Sequence, residues 1–277
     1  MERKYYCNDF DYNEYKNEIE SSGSIQRFID NEIKVNKTES ESSESSESEN
    51  WNIFYQKHKT GKFYKSRNYI LYEFDKYFQA LTSSSETGST FILECGAGHG
   101  TTIYSLIDKL SDKIIFYATD YSDDALKILT ENSLFDSSRV KVSQWDIIKP
   151  ISIVLPCPPK LIICIFTLSA IHPDFHYNCF KNMADILESG SVICFRDYGQ
   201  YDFTQFKQKS FISQNLYRRF DNTLSFYFTI EYLESIIEKL KDELEIIEIS
   251  YCTILSKNRS TNVDMKRIYL HSVIKKK

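Results

Sequence analysis

FILECGAGHGTT, running from Phe91 to Thr102, decides the fold. An apolar run of strand type, Phe91 to Leu93, stops at Glu94. Glycines then alternate at Gly96, Gly98 and Gly100, and helix-compatible residues follow from Thr101. Without a Cβ, Gly96 and Gly98 let the backbone take φ > 0 and come close to a ligand. A helix beginning near Thr101 presents its unpaired N–H groups to the same place. The stretch therefore reads as a strand that turns over a nucleotide-like ligand. A plain glycine turn between strand and helix is the alternative that the motif alone leaves open. The spacing is G-x-G-x-G after an acid, which differs from the G-x-G-x-x-G of dinucleotide-binding turns.

Outward from this turn, strand and helix patterns alternate. Strands are predicted at 91–93, 114–119, 140–143, 161–168, 191–195, 244–254 and 267–274, with helices to about Leu110 and over 123–131, 175–187 and 229–240. The run Leu161 to Leu168 is almost continuously apolar, as a central parallel strand covered on both faces requires. This alternation predicts a doubly wound α/β sheet, mostly parallel and seven-stranded, with an N-terminal helical extension.

The chain has 277 residues, of which 42% are hydrophobic, enough for a substantial core. No apolar run is long enough for a transmembrane helix. The opening MERKYYCNDF lacks the apolar region of a secretory signal. A cytoplasmic location is predicted, with the nucleus as the alternative. Seven cysteines, scattered without C-x-x-C pairs, read as reduced thiols rather than a disulfide framework or a zinc site, and no metal is expected. Net charge is −5, but residues 1–50 carry −7 and residues 51–277 carry +2. The mildly basic remainder removes the objection that an acidic chain would raise against a nucleic-acid partner.

Four segments follow. Residues 1–37 form a partly helical extension, with Tyr15, Ile19, Ile25, Phe28, Ile29 and Ile33 at weak helical spacing. Residues 38–50 form an acidic Ser/Glu linker, TESESSESSESE at its heart, too polar to offset the cost of ordering. Its serines suit acidophilic kinases, although a solvated spacer is the simpler reading. Residues 51–89 form a helical lid or RNA-binding segment, with Trp51, Phe54 and Tyr55 on one helix face. Residues 90–277 form the α/β domain.

In such a sheet a ligand lies at the carboxyl ends of the strands, near the switch in strand order. The second strand ends at Asp120, which can accept from both ribose hydroxyls; a helix N-cap shared with Ser122 is the competing role. The third ends SQWD, where Asp146 can accept from an adenine amino group and Trp145 or Ile147 can cover the purine.

The glycine turn resembles the S-adenosylmethionine site of class I methyltransferases. The fourth and fifth strand ends carry the resemblance further. IFTLSAIHPD (Ile165 to Asp174) and FRDYGQYD (Phe195 to Asp202) are similar to the methyltransferase-like family that makes 3-methylcytidine in RNA, mainly at tRNA anticodon-loop position 32. WNIFYQKHKTGKFYKSRNYILYEF (Trp51 to Phe74) resembles the family's WDxFYxxNxTxFFKDRHWxxxEF. NSLFDSSRVKVSQWDI (Asn132 to Ile147), QNLYRRFDNTLSFYFT (Gln214 to Thr229, against ENFYVRGDGTRxYFFT) and NRSTNVDMKRIYL (Asn258 to Leu270) extend it over essentially all of 51–277. The departures are Lys160 for an acid, Ser66, Asn68 and Tyr69 for Asp, His and Trp, and Leu224 for an Arg.

The resemblance implies the Rossmann-like methyltransferase sheet and S-adenosylmethionine as cofactor, held by Glu94, Gly96, Ala97, Gly98, Asp120, Tyr121, Asp146, Ile147 and Phe166. It implies tRNA as partner, and leaves open a helper protein such as a tRNA synthetase. N3 of cytosine already carries a lone pair, so the expected chemistry needs proximity and a means to hold a cation. Because N3 lies on the Watson–Crick edge, the base must be unpaired or flipped. The catalytic candidates are Arg196, Asp197, Tyr198 and His172. Asp197 would accept from the base amino group and Tyr198 would stack, whereas an Arg196–Asp197 ion pair and a helix-capping His172 are the structural alternatives. Substrate contacts are expected from Lys65, Arg67, Tyr69, Tyr217, Arg219, Arg259 and Arg267, with Tyr217 alternatively in the core. Lys57, Lys59, Lys62, Lys65 and Arg67 form one basic cluster with Phe63, Tyr64 and Tyr69; Arg259, Lys266, Arg267 and Lys275 to Lys277 form a second. A methyltransferase for another RNA or a protein, or a non-catalytic binding subunit, are the competing functions.

Overall fold

The computed structural model describes residues 8–23, 47–57, 67–83, 88–208, 210–258 and 262–277. Of the sequence-predicted features, Ile25 to Ile33, residues 38–46, Lys59, Lys62, Phe63, Tyr64, Lys65, Ser66 and Arg259 lie outside the described residues.

Seven strands form one sheet: β1 (Thr90–Cys95), β2 (Ile114–Asp120), β3 (Val140–Gln144), β4 (Leu161–Ile165), β5 (Val192–Tyr198), β9 (Leu244–Asn258) and β10 (Val263–Lys276). Their order is β3-β2-β1-β4-β5-β10-β9. The first five are parallel and β10 runs antiparallel to both β5 and β9. The order reverses between β1 and β4, so the carboxyl ends of those strands mark the binding crevice.

Alternation decides the two faces. Leu93, Cys95, Ile162, Cys164, Ile193 and Phe195 pack into one apolar layer, under helices α7 (His176–Asp185) and α8 (Ile230–Glu238). Ile92, Leu161, Ile163, Ile165 and Cys194 pack into the other, under α3 (Tyr69–Glu73), α4 (Asp75–Ser83) and α5 (Thr101–Leu106). Period-two side chains with helices on both faces explain why β4 is apolar throughout.

The N-terminal segment covers the β9 edge. Asn8 forms a parallel bridge with Thr253, Asp9 Oδ2 accepts from the Leu255 N–H at 2.8 Å, and Tyr12 stacks on Tyr251 at 3.7 Å between centroids. Helix α1 (Tyr12–Ser21) then lies along this edge, capped by Asp11. Covering an edge strand removes a template for unwanted pairing.

Three features differ from the sequence-based expectation. Strand β4 ends at Ile165, not Leu168, because Phe166 takes φ 55° and turns the chain; its N–H still donates to the Arg196 carbonyl at 2.9 Å. Helix α2 (Glu47–Lys57) starts inside the acidic tract, before residue 51, and buries Asn50. A second sheet that no sequence pattern announced is formed by β6 (Ser210–Ser213), β7 (Leu216–Arg218) and β8 (Leu224–Phe226), whose strands are too short to show a clear period.

Candidate active site

Two adjoining chambers open at the carboxyl ends of β1, β2, β4 and β5. They share Trp51, Tyr55, Gly96, Phe166 and Ala170 as walls. The first, about 160 Å³, adds Thr119, Asp120, Tyr121, Trp145, Asp146, Ile147, Ile148, Thr167 and Ile171. The second, about 300 Å³, adds Arg67, Tyr69, Ala97, Gly98, His99, Thr101, Arg196, Tyr198, Arg219, Arg267 and Tyr269.

The glycine turn is built as its spacing implies. Gly96, Gly98 and Gly100 have φ of 67°, 55° and 83°. A Cβ on Gly96 would sit 2.4 Å from Thr167 Cγ2, and one on Gly98 would sit 2.7 Å from the Tyr55 hydroxyl. The turn is therefore packed against the wall of the crevice, and the missing side chains make that close approach feasible. Asp120 secures it: Oδ2 accepts from the Gly98 N–H at 2.8 Å and Oδ1 from the Ser122 N–H at 2.9 Å. Asp120 is not the cap of the next helix α6 (Asp123–Thr130); that role belongs to Ser122, which accepts from the Ala125 N–H.

Asp146 lies across the first chamber, its carboxylate paired with Lys149 at 3.2 Å. Trp145 is almost fully buried and its indole N–H donates to the Lys149 carbonyl at 3.0 Å, which fixes the ring as a wall beside Ile147. Apolar walls with carboxylates at the edge suit an adenosine. At the end of β1, Glu94 is buried and its Oε2 has no hydrogen-bond partner. Burial pushes its carboxyl up to about 7, against the opposing pull of the Thr102 hydroxyl and the Arg67 guanidinium. Glu94 lines neither chamber itself, but its unsatisfied oxygen is buried two residues before Gly96, which lines both, and such an acceptor fits the ammonium end of S-adenosylmethionine.

That value carries a pH prediction. The proton is held more tightly in the folded chain than at the ordinary value of 4.5. The stability contributed by this group is thus complete below about 4.5 and is lost as pH rises through about 7. Affinity for a ligand with a cationic amine follows the opposite course. S-adenosylhomocysteine is expected to bind more tightly as pH rises through about 7, with release of a proton, and Glu94→Gln should flatten the dependence. Calorimetry in buffers of different ionisation enthalpy checks this; a flat wild-type profile contradicts it.

The second chamber brings together several sequence-predicted residues and leaves others out. Arg196 lines it, but not as a partner of Asp197. Its Nη1 donates to Glu73 Oε2 at 2.6 Å, and its guanidinium lies over the rings of Tyr69 (4.9 Å) and Tyr269 (4.3 Å). Glu73 Oε1 is also 2.9 Å from His271 Nδ1, and both residues are buried. Asp197, next along β5, points to the opposite face. It is fully buried and accepts from the N–H groups of Ser169 (2.9 Å) and Tyr198 (2.9 Å), so it braces the loop after β4 instead of meeting a base. His172 also lies off the chamber; it caps a short 3₁₀ turn at Pro173–Phe175, its Nδ1 accepting from the Asp174 N–H. The histidine that organises this loop is His176, with Nε2 at 2.8 Å from the Leu168 carbonyl and Nδ1 at 3.0 Å from the Tyr232 hydroxyl. Burial lowers it to about 4, so it stays neutral.

Arg67 is a wall of the crevice, not an outlying phosphate contact. Nη1 donates to Thr102 Oγ1 (3.1 Å) and the Ile165 carbonyl (3.3 Å), and the guanidinium lies 5.3 Å from the Phe166 ring centroid. Arg267 pairs with the buried Asp202 at 2.8 Å, and Arg219 lies over Tyr198 at 5.6 Å. Tyr217 is core, its hydroxyl accepting from Gln205 at 3.1 Å. Lys266 pairs with Glu18 (3.1 Å), while Lys275 and Lys276 pair with Glu245 and Glu243. Lys275 also stands beside Val192, the start of β5, so these tail lysines lie at the end of the sheet away from the crevice. Among the departures, Leu224 is core and Lys160 pairs with Glu188 at the amino end of β4; only Tyr69 of the described ones reaches the chamber.

Sequence reasoning missed Trp51 and Tyr55 as site residues. They reach both chambers because α2 packs on α6: Ser122 donates to Asn52 Oδ1 at 2.7 Å and Gln56 to Asp124 Oδ2 at 3.0 Å, around Phe54, Tyr55 and Ala125. The aromatic spacing on α2 was the available signal.

A doubly wound sheet of order β3-β2-β1-β4-β5-β10-β9, with a glycine turn and strand-end carboxylates around a nucleoside-sized chamber, defines a class I S-adenosylmethionine-dependent methyltransferase. Solved structures agree on the fold. A S-adenosylmethionine-dependent methyltransferase from Anabaena variabilis matches with TM-score 0.58 and 12% identity, covering 86% of this chain and 98% of that one. One from Clostridium acetobutylicum matches with TM-score 0.54 and 15% identity, covering 81% and 98%. No protein-family model matches. Among curated proteins, the chain is 31% identical over 228 residues to the tRNA N(3)-cytidine methyltransferase METTL6 of Homo sapiens, covering 80% of this chain and 78% of the relative. It is 32% identical over 231 residues to the tRNA N(3)-methylcytidine methyltransferase trm140 of Schizosaccharomyces pombe, covering 82% and 73%. The chain belongs to the tRNA N(3)-cytidine methyltransferase family.

Proposed function

We propose that the chain transfers the methyl group of S-adenosylmethionine to N3 of a cytidine in tRNA, at anticodon-loop position 32. The observation that carries this reading is the lining of the second chamber: four arginines and the rings of Trp51, Tyr55, Tyr69, Phe166, Tyr198 and Tyr269, with no carboxylate among the described residues. A flat, unpaired base on an anionic chain suits such a lining. A protein amine that must lose a proton before attack suits it poorly.

When bound, the cofactor supplies an electrophilic methyl carbon. The nucleophile is the N3 lone pair, so no residue must act as a strong base; the one imidazole in the lining among the described residues, His99, lies 2.9 Å from the Thr101 hydroxyl. Gly96, Asp120 and Asp146 would hold the nucleoside and Glu94 the amine. Arg196 and Arg267 are each matched by a buried carboxylate, Glu73 and Asp202, so they contribute flat guanidinium faces without net charge. The tyrosine rings around them can stack on the base and hold the cation that forms on it. Burial raises the phenols of Tyr69 and Tyr269, which keeps both protonated and able to donate. A helper such as a tRNA synthetase extends this reading as a means of presenting the RNA.

The test is reverse transcription of tRNA incubated with the chain and S-adenosylmethionine, because an N3 methyl group blocks base pairing. Arrest at position 32 that vanishes with heat-inactivated protein supports the reading. Arrest elsewhere moves the target, and unchanged extension through every cytidine overturns it.

A further inference from the structure

The turn between β7 and β8 stands at the rim of the second chamber, since Arg219 within it lines the chamber. It is tightly held. The Arg219 N–H donates to the Thr223 carbonyl at 2.9 Å, and the Asn222 N–H donates to the Arg219 carbonyl at 3.0 Å. Asp221 Oδ1 accepts from the Thr223 N–H (3.0 Å) and hydroxyl (2.6 Å). The Asn222 carbonyl accepts from Arg218 Nη1 at 2.9 Å and from Asn50 of α2 at 3.3 Å, which ties the turn to the helix over the crevice. At the apex of this braced turn Phe220 is 80% exposed.

A single exposed apolar residue ordinarily needs no explanation. This one is a full phenyl ring on a rigid turn, preceded by Arg218 and Arg219, beside a chamber shaped for one base. Extrusion of a base leaves the faces of its neighbours uncovered, and an aromatic side chain offers the cheapest cover for such a face.

We propose that Phe220 is a base-stacking residue that takes the face of the unpaired nucleobase flanking the target cytidine, with Arg218 and Arg219 on the adjoining phosphates. Purines, with the larger face, are favoured at that position. The ring thereby adds a preference for loop sequence that the chamber itself does not supply. This rests on the tRNA cytidine reading.

The test uses an anticodon stem-loop RNA with 2-aminopurine placed in turn at each position flanking the target cytidine, and the variants Phe220→Ala and Phe220→Trp. Phe220→Ala is expected to raise the Kd for the stem-loop about tenfold and to erase the protein-induced change in emission at one flanking position. Phe220→Trp restores both. Affinity of Phe220→Ala within about twofold of wild type, with the same emission profile, overturns the proposal. Should that occur while 3-methylcytidine still forms, the methyl-transfer reading stands alone. Conversely, Phe220-dependent emission without 3-methylcytidine sinks the methyl-transfer reading and keeps the stacking role, and a wild type that binds no stem-loop RNA removes both.

Discussion

Glu73→Ala is expected to lower the unfolding free energy by about 3–5 kcal/mol, because it strands the Arg196 guanidinium in the interior. Arg196 and Glu73 side chains are 1% and 0% exposed and meet at 2.6 Å, so neither charge has water as a substitute partner. The same carboxylate holds His271 at 2.9 Å, whose other nitrogen lies 3.3 Å from Glu248. Glu248 in turn accepts from the Tyr77 hydroxyl at 2.5 Å and pairs with Lys76. One residue of α3 thus ties together β5, β10 and β9. The thermal midpoint should fall by roughly 10 °C, read by melting at fixed pH. The paired change Glu73→Leu with Arg196→Met should recover much of the loss, since well-packed apolar residues often replace a buried ion pair without penalty. A midpoint shift under about 2 °C for Glu73→Ala would show that water reaches the pair. Arg196 also backs the rings of Tyr69 and Tyr269, so RNA affinity should fall in the single variant even at temperatures where it stays folded.

The second large effect is on cofactor binding. Asp120→Ala removes the acceptor for the Gly98 and Ser122 N–H groups and, with it, the acceptor proposed for a ribose. Hydrogen bonds to a charged group contribute about 1.5–3 kcal/mol each. Loss of the two that shape the turn, together with those to the ligand, should weaken S-adenosylhomocysteine binding by about 100-fold or more. Asp120→Asn keeps one oxygen as an acceptor and should fall between the two. Calorimetry against wild type reads the effect. A loss below about fivefold would mean that the turn keeps its shape without Asp120 and that the ribose rests on other groups.

What was legible in the sequence is what short-range chemistry encodes. The glycine turn, the acids at the ends of β2 and β3, and the apolar run of β4 each depend on a few neighbouring residues, and each stands where the pattern implies, the last only as far as Ile165. What was not legible depends on which face a residue takes and on distant partners. Arg196 and Asp197 are consecutive in a strand, so they must point to opposite faces and cannot both meet a substrate. With helices on both faces of β5, local pattern offers no sign of which one does. The partner of Arg196 lies 123 residues away in sequence, and the partner of His271 lies 198 away, separations that no motif spacing records. Trp51 and Tyr55 reach the crevice only through the docking of α2 on α6. His172 and His176 illustrate the same limit, since only burial separates a surface cap from a core hydrogen-bond hub.

The measurement that bears most directly on the account is mass spectrometry of tRNA nucleosides after incubation with the chain and a donor carrying an isotopically labelled methyl group. Labelled 3-methylcytidine that disappears with Asp120→Ala is the expected result. Label appearing on another nucleoside or on protein, or no transfer from a chain that binds the donor, would contradict it.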